Sequence, residues 1–218
     1  MTACYAPHAV EPARPRRGHH GRGPPEFLIQ ANNVVLDLNG FKLGGLAAGR
    51  ATTTNGIFAD NRQNITIKNG TIRGFFRGIR LSDTGASQGH VVEDIRADQN
   101  TRLGINVEGS GILVRNNQVV ATGGCQVCGA NANASGIEVF GAGPRVLNND
   151  VIHTFKQGGG ISRGIVFGSS VNAGLAVNNR ITEADIGIEF HNTGKFRDNL
   201  TFDVTTAFMG GTDAGNNN

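Results

Sequence analysis

The sequence has no tryptophan and one tyrosine, Tyr5. Of its six prolines five fall within residues 1–26, and it has three cysteines. Without Trp and with Tyr outside the patterned region, a sugar-stacking aromatic platform is limited to phenylalanines such as Phe58 and Phe140. Charged residues make up only 17% of the chain, and no apolar run reaches the 18 or more residues of a membrane-spanning helix. Three cysteines, two of them in one Cys-x-x-Cys, do not make a four-ligand zinc site, so no metal and no cofactor are expected.

The formal charge is +3, but residues 1–26 carry +2 of it through Arg14, Arg16, Arg17 and Arg22 against Glu11 and Glu26. The remainder has no basic stripe, which argues against a nucleic-acid partner. Residues 1–26 also lack apolar periodicity and read as a disordered tail rich in Pro, Arg, Gly and His. They contain no continuous apolar segment of a secretory leader.

What is abundant is glycine, at 33 residues, and a signal that returns six times: Gly56-Ile57, Gly78-Ile79, Gly104-Ile105, Gly136-Ile137, Gly164-Ile165 and Gly187-Ile188. Each pair is followed by a variable residue and then a second apolar one. The glycines are 22, 26, 32, 28 and 23 residues apart, the period of one solenoid coil. Between copies lie two further short alternating strands, the first ending at Asn69, Asp94, Asn116, Asn148, Asn178 or Asp198. Three short strands per period predict a three-sided coil, and the absence of a 3.6-residue period predicts almost no helix. Asn and Asp tolerate the left-handed backbone that a corner requires, and stacked copies can hydrogen-bond along the axis.

The Gly-Ile-x-Val strands, the Asn corners and the opening Asn33-Val34-Val35-Leu36-Asp37-Leu38-Asn39-Gly40-Phe41 resemble the parallel β-helix repeat proteins of the pectin-lyase-like superfamily. The resemblance covers residues 27–208, about seven coils. It implies an all-β, single-stranded right-handed parallel β-helix, an extracellular or cell-surface location, and acidic polysaccharide as a partner. The pattern is expected to end near residue 208, leaving 209–218 as a flexible C-terminus and an open solenoid end through which copies associate.

Side chains alternate along a strand, so outward positions form two files. One is Phe58, Arg80, Asn106, Glu138, Val166 and Glu189, and the other Asp60, Ser82, Glu108, Phe140, Gly168 and His191. Asp60, Arg80, Asn106, Glu108 and Glu138 are the candidate saccharide surface. Glu108 and Glu138 are expected roughly 5–9 Å apart, within the range used by paired carboxylates in glycoside hydrolysis. Against catalysis, the Asn-Thr-Asp, Asp-Asp, Gly-His-Gly and Arg-x-Lys motifs of polygalacturonases are absent, as is the Asp-Pro-His-Asp of alginate epimerases; Gly89-His90 is followed by Val91. No calcium-binding carboxylate cluster is visible either.

The expectation is a scaffold that contacts polysaccharide through an outward strand face without catalysis. The alternative is a lyase, hydrolase or epimerase acting on an acidic polysaccharide, and the catalytic residues of that alternative are not assigned. Cys125-x-x-Cys128 lies in the longest period and reads as a loop-stapling disulfide, a redox pair or half of a metal site. If this insert and the one at 156–163 leave neighbouring coils at one corner, they wall the Glu138 surface.

Overall fold

The computed structural model describes residues 25–218. The tail reading for residues 1–26 falls, except for its last two positions, outside the described residues. The first strands are β1 (Phe27–Ile29), β2 (Val35–Asp37), β3 (Lys42–Gly44), β4 (Asn55–Asp60), β5 (Thr66–Arg73), β6 (Arg77–Ser82), β7 (Val91–Asp98), β8 (Leu103–Glu108), β9 (Leu113–Arg115) and β10 (Gln118–Gly123). They continue with β11 (Ala134–Phe140), β12 (Arg145–Leu147), β13 (Asp150–Phe155), β14 (Ser162–Phe167), β15 (Gly174–Val177), β16 (Arg180–Phe190), β17 (Gly194–Arg197), β18 (Leu200–Met209) and β19 (Thr212–Asp213). Every strand-to-strand ladder is parallel, and each joins a strand to its counterpart one coil away. The chain is a parallel β-solenoid.

Three sides follow from the pairing. Side A stacks β1, β4, β6, β8, β11, β14 and the C-terminal parts of β16 and β18. Side B stacks β2, the first halves of β5 and β7, then β9, β12, β15, β17 and β19. Side C stacks β3, the second halves of β5 and β7, then β10, β13 and the N-terminal parts of β16 and β18. Helix is confined, among the described residues, to one 3-10 turn at Leu46–Ala48. No helix among these residues is long and apolar enough to cross a membrane.

Side A explains the repeat. Ile57, Ile79, Ile105, Ile137, Ile165 and Ile188 pair in register and are fully buried, each contributing about 1.5–3 kcal/mol of apolar burial. The glycine before each is required by space. A Cβ on Gly104 would stand 2.5 Å from a Val119 methyl and 2.6 Å from the Gly136 carbonyl oxygen. Toward the last coils the core becomes aromatic: Phe167 and Phe190 stack at 4.2 Å, and Phe196 and Phe208 at 4.7 Å.

The corner between sides B and C is built as the Asn and Asp positions predict. Asn69, Asp94, Asn116, Asn148, Asn178 and Asp198 all have φ between 53° and 58°. Their side chains make some contacts along the axis, such as Asn178 Nδ2 donating to Asn148 Oδ1 at 2.9 Å. The stronger ladder is one residue further on and is inside. Asn117, Asn149, Asn179 and Asn199 are 0–2% exposed, and each of the first three donates Nδ2 to the Oδ1 of the next at 2.9–3.0 Å. Each Oδ1 also accepts the backbone N–H of the preceding rung.

A second left-handed file, not foreseen from the sequence, turns side C into side A at Gln99, Ala121, His153, Glu183 and Asp203, with φ of 52–58°. The repeat also runs past residue 208, where the sequence pattern was expected to end. Strand β19 pairs with β17, Asn216 takes φ 57°, and Asn217 Oδ1 accepts from Asn199 Nδ2 at 3.1 Å. An apolar pattern diluted by Gly210, Gly211 and Gly215 hid this coil, while the Asn216-Asn217 doublet kept its corner.

Candidate functional site

The two outward files on side A form as alternation predicts. Phe58, Arg80, Asn106, Glu138, Val166 and Glu189 are mutual partners in consecutive coils. Asp60 pairs with Ser82, and Glu108 with Phe140, in the second file. The five candidate residues therefore lie on one surface, in two neighbouring rows.

Their states differ. Asp60 Oδ1 accepts the Ser82 hydroxyl at 2.9 Å, and Glu108 Oε2 accepts the backbone N–H of Asp83 at 3.1 Å. Both carboxylates thus hold the adjoining corner in place. Arg80 lies over the Phe58 ring of the preceding coil, 5.5 Å from its centre, and its Nε is buried with no hydrogen-bond acceptor. Asn106, beside it in the next coil, is 3% exposed, and its Nδ2 is likewise without an acceptor. Two buried donors on neighbouring coils stand unsatisfied, a rare and costly arrangement.

Glu138, among the candidate side chains, has a raised proton affinity. Burial pushes it above the ordinary carboxylate range; Arg77 and Arg102 oppose the shift, the Glu108 charge adds to it, and Arg163 opposes it further. The three arginines were not among the sequence candidates. Arg77 and Arg102 flank the Phe76 ring, their guanidinium carbons 4.8 and 5.6 Å from its centre. Arg163 pairs with Glu189, and His191 Nε2 is 3.1 Å from the other oxygen of Glu189. Arg77 and Arg163 directly precede Gly78 and Gly164, so an Arg immediately before Gly-Ile was the available signal. It is hard to read because the same position holds Asn55, Leu103, Ser135 and Ile186 in the other copies, so the repeat gives it no single character.

The inserts at 124–133 and 156–161 do leave the same corner of successive coils. They are laced together by Gln157 N–H to the Ala132 carbonyl at 3.1 Å and by the N–H groups of Gly159 and Ile161 to the side-chain oxygens of Asn131 and Asn133, both at 2.8 Å. In the next coil, which lacks an insert, Asp185 takes over by accepting Ser162 N–H at 2.8 Å and Lys156 Nζ at 2.9 Å. Cys125 and Cys128 are joined as a disulfide with Cα atoms 5.5 Å apart. Among the described residues no group of three or more His, Cys, Asp or Glu side chains is arranged to hold a metal ion.

His90 does not face this surface. It is 1% exposed, its Nδ1 accepts the Ile65 N–H at 3.3 Å, and burial lowers its pKa to about 4 despite the Asp83 charge. It is a neutral core acceptor.

The fold and the side A surface define a parallel β-solenoid with a mixed arginine and carboxylate strand face. Comparison with protein-family models, with curated proteins and with solved structures finds no match to any of them.

Proposed function

We propose that this chain is an exported solenoid scaffold of the pectin-lyase-like kind that binds acidic polysaccharide along side A without cleaving it. The observation that carries the reading is the Arg80 guanidinium on the outward file, lying over the Phe58 ring and beside the Asn106 amide of the next coil. A chain rich in carboxylates supplies counter-charges for guanidinium groups on this face, and a flat parallel strand face presents equivalent positions at about 4.8 Å per coil. Arg77 and Arg102, stacked on Phe76, add cationic faces at the edge of the same surface. Asp60 and Glu108 serve corners rather than substrate, which favours binding over paired-carboxylate chemistry.

The test is affinity electrophoresis through gels containing pectate, alginate or a neutral glucan. Retardation by the acidic polymers, reduced in Arg80→Gln and Asn106→Ala, supports the reading. Equal mobility in all gels contradicts it.

One observation favours the enzymatic alternative, a lyase, hydrolase or epimerase: the raised proton affinity of Glu138, as a general acid or base requires. Incubation with the same acidic polymers separates the two. Shortened or unsaturated products that vanish in Glu138→Gln establish catalysis, and their absence with binding intact supports the scaffold.

A further inference from the structure

A concavity lies away from the side A files, at the corner where side C turns into side A. It has a volume of about 350 Å3 and lies between the insert at 45–54, which carries the 3-10 turn, and the ends of β10 and β13 at Ala121, Gly123, His153 and Phe155. Its floor is made by the short corners of two successive coils, at Gly74 in the first and at Gln99 and Thr101 in the second.

Arg50 spans the gap between the two walls. Its Nε donates to the Gly124 carbonyl at 2.9 Å, its own carbonyl accepts the Gln126 N–H at 3.1 Å, and its guanidinium lies 5.8 Å from the centre of the Phe155 ring. It is the one permanently charged side chain lining the concavity, and among the described residues it has no ion pair. His153, also on the lining, is already bonded to Glu183 at 2.6 Å. Thr101 is 5% exposed, and its hydroxyl has no hydrogen-bond partner. The lining thus offers one uncompensated cation, an amide at Gln99, an unsatisfied hydroxyl, and apolar surface from Leu46 and Phe155.

We infer that this concavity is a binding site for a small, sugar-sized ligand bearing a single oxyanion. The oxyanion pairs with the guanidinium of Arg50, hydroxyl groups meet Gln99 and Thr101, and the ring packs toward Leu46 and Phe155. The size sets the limit, since 350 Å3 lies near the lower end of small-molecule sites and holds a short ligand, not a polymer segment. The carboxylate and phosphate forms of such a ligand share this chemistry. The site is independent of the side A reading, because polymer retention and small-ligand binding are lost by different substitutions.

The experiment is ligand-observed NMR titration of the full chain with D-glucuronate, glucose 6-phosphate and neutral glucose. The expected result is binding of at least one anionic sugar about tenfold or more tighter than glucose, as a charge-assisted contact requires. Whichever anion binds more tightly identifies the oxyanion preferred. Arg50→Gln, which keeps a donor for Gly124, and Leu46→Trp, which crowds the opening from an exposed position, should each weaken binding about tenfold, while Arg80→Gln leaves it unchanged. No binding of either anion, or equal binding of glucose, overturns the inference without reference to any variant. Tight binding unaffected by both Arg50→Gln and Leu46→Trp overturns its location.

Discussion

The side-chain amide of Asn117 donates to the Oδ1 of Asn149 at 3.0 Å, and the same Oδ1 accepts the backbone N–H of Asn117 at 3.0 Å. One carboxamide therefore closes two donors of the preceding coil, while its own Nδ2 reaches on to Asn179 and to backbone carbonyls. Replacing Asn149 with Ala leaves several buried groups unpaired at once. The expected loss is on the order of 3–5 kcal/mol, read from urea unfolding. Asn148→Gly, one residue away but exposed and left-handed, should change stability little, because glycine adopts that backbone without strain. Equal losses from the two substitutions contradict the assignment of the buried ladder.

This pair also shows how far the sequence could be read. The doublets Asn116-Asn117, Asn148-Asn149 and Asn178-Asn179 stand in the sequence, and the first member was legible as a corner. The second was not, because a left-handed corner residue resets the alternation and turns the next side chain inward. Arg77 and Arg163 were hidden differently, because the position before Gly-Ile varies from Asn55 to Ile186 among the six copies. Within the frame, alternation held, and Arg80, Asn106 and Glu138 fell into one file as expected. The two unsatisfied donors on that file depend on three-dimensional packing and have no sequence signature.

His90 gives a pH dependence whose sign is fixed. Its folded pKa of about 4 lies below the ordinary value of 6.5, so between these values the unfolded chain binds the extra proton. The stability His90 contributes is present above pH 6.5 and is lost as pH falls toward 4, a change on the order of 3 kcal/mol. Thermal unfolding from pH 7 to pH 4 should show this loss, with a shallower slope in His90→Gln. An unchanged slope in the variant argues that His90 is not the group responsible.

Glu138 acts in the opposite sense. Its folded pKa is raised, first by burial, so its contribution is present below the ordinary carboxylate pKa and is lost as pH rises through the folded value. Glu138→Gln should therefore be more stable than the parent at pH 7, with the difference closing as pH falls below about 4.5. The measurement is the unfolding midpoint of both proteins at pH 7 and pH 4. A variant less stable at pH 7 shows that the surrounding arginines need the Glu138 charge.

The disulfide between Cys125 and Cys128 closes a very short loop, which limits its effect on the unfolded chain to about 2 kcal/mol. Alkylation of unreduced protein should leave both residues unlabelled, and Cys125→Ser with Cys128→Ser should lower the unfolding free energy by about that amount. Labelling of both in the unreduced protein rules the staple out.

Binding of an acidic polysaccharide along the Arg80 file of side A is read from one isotherm. The affinity for a defined oligouronate, measured by calorimetry at one fixed salt concentration, is compared between the parent and the Arg80→Gln/Asn106→Ala double variant. The expected result is measurable binding by the parent, weakened about tenfold or more in the double variant, with Asn148→Gly unchanged. Identical affinities for parent and double variant, or no binding by the parent, would contradict it.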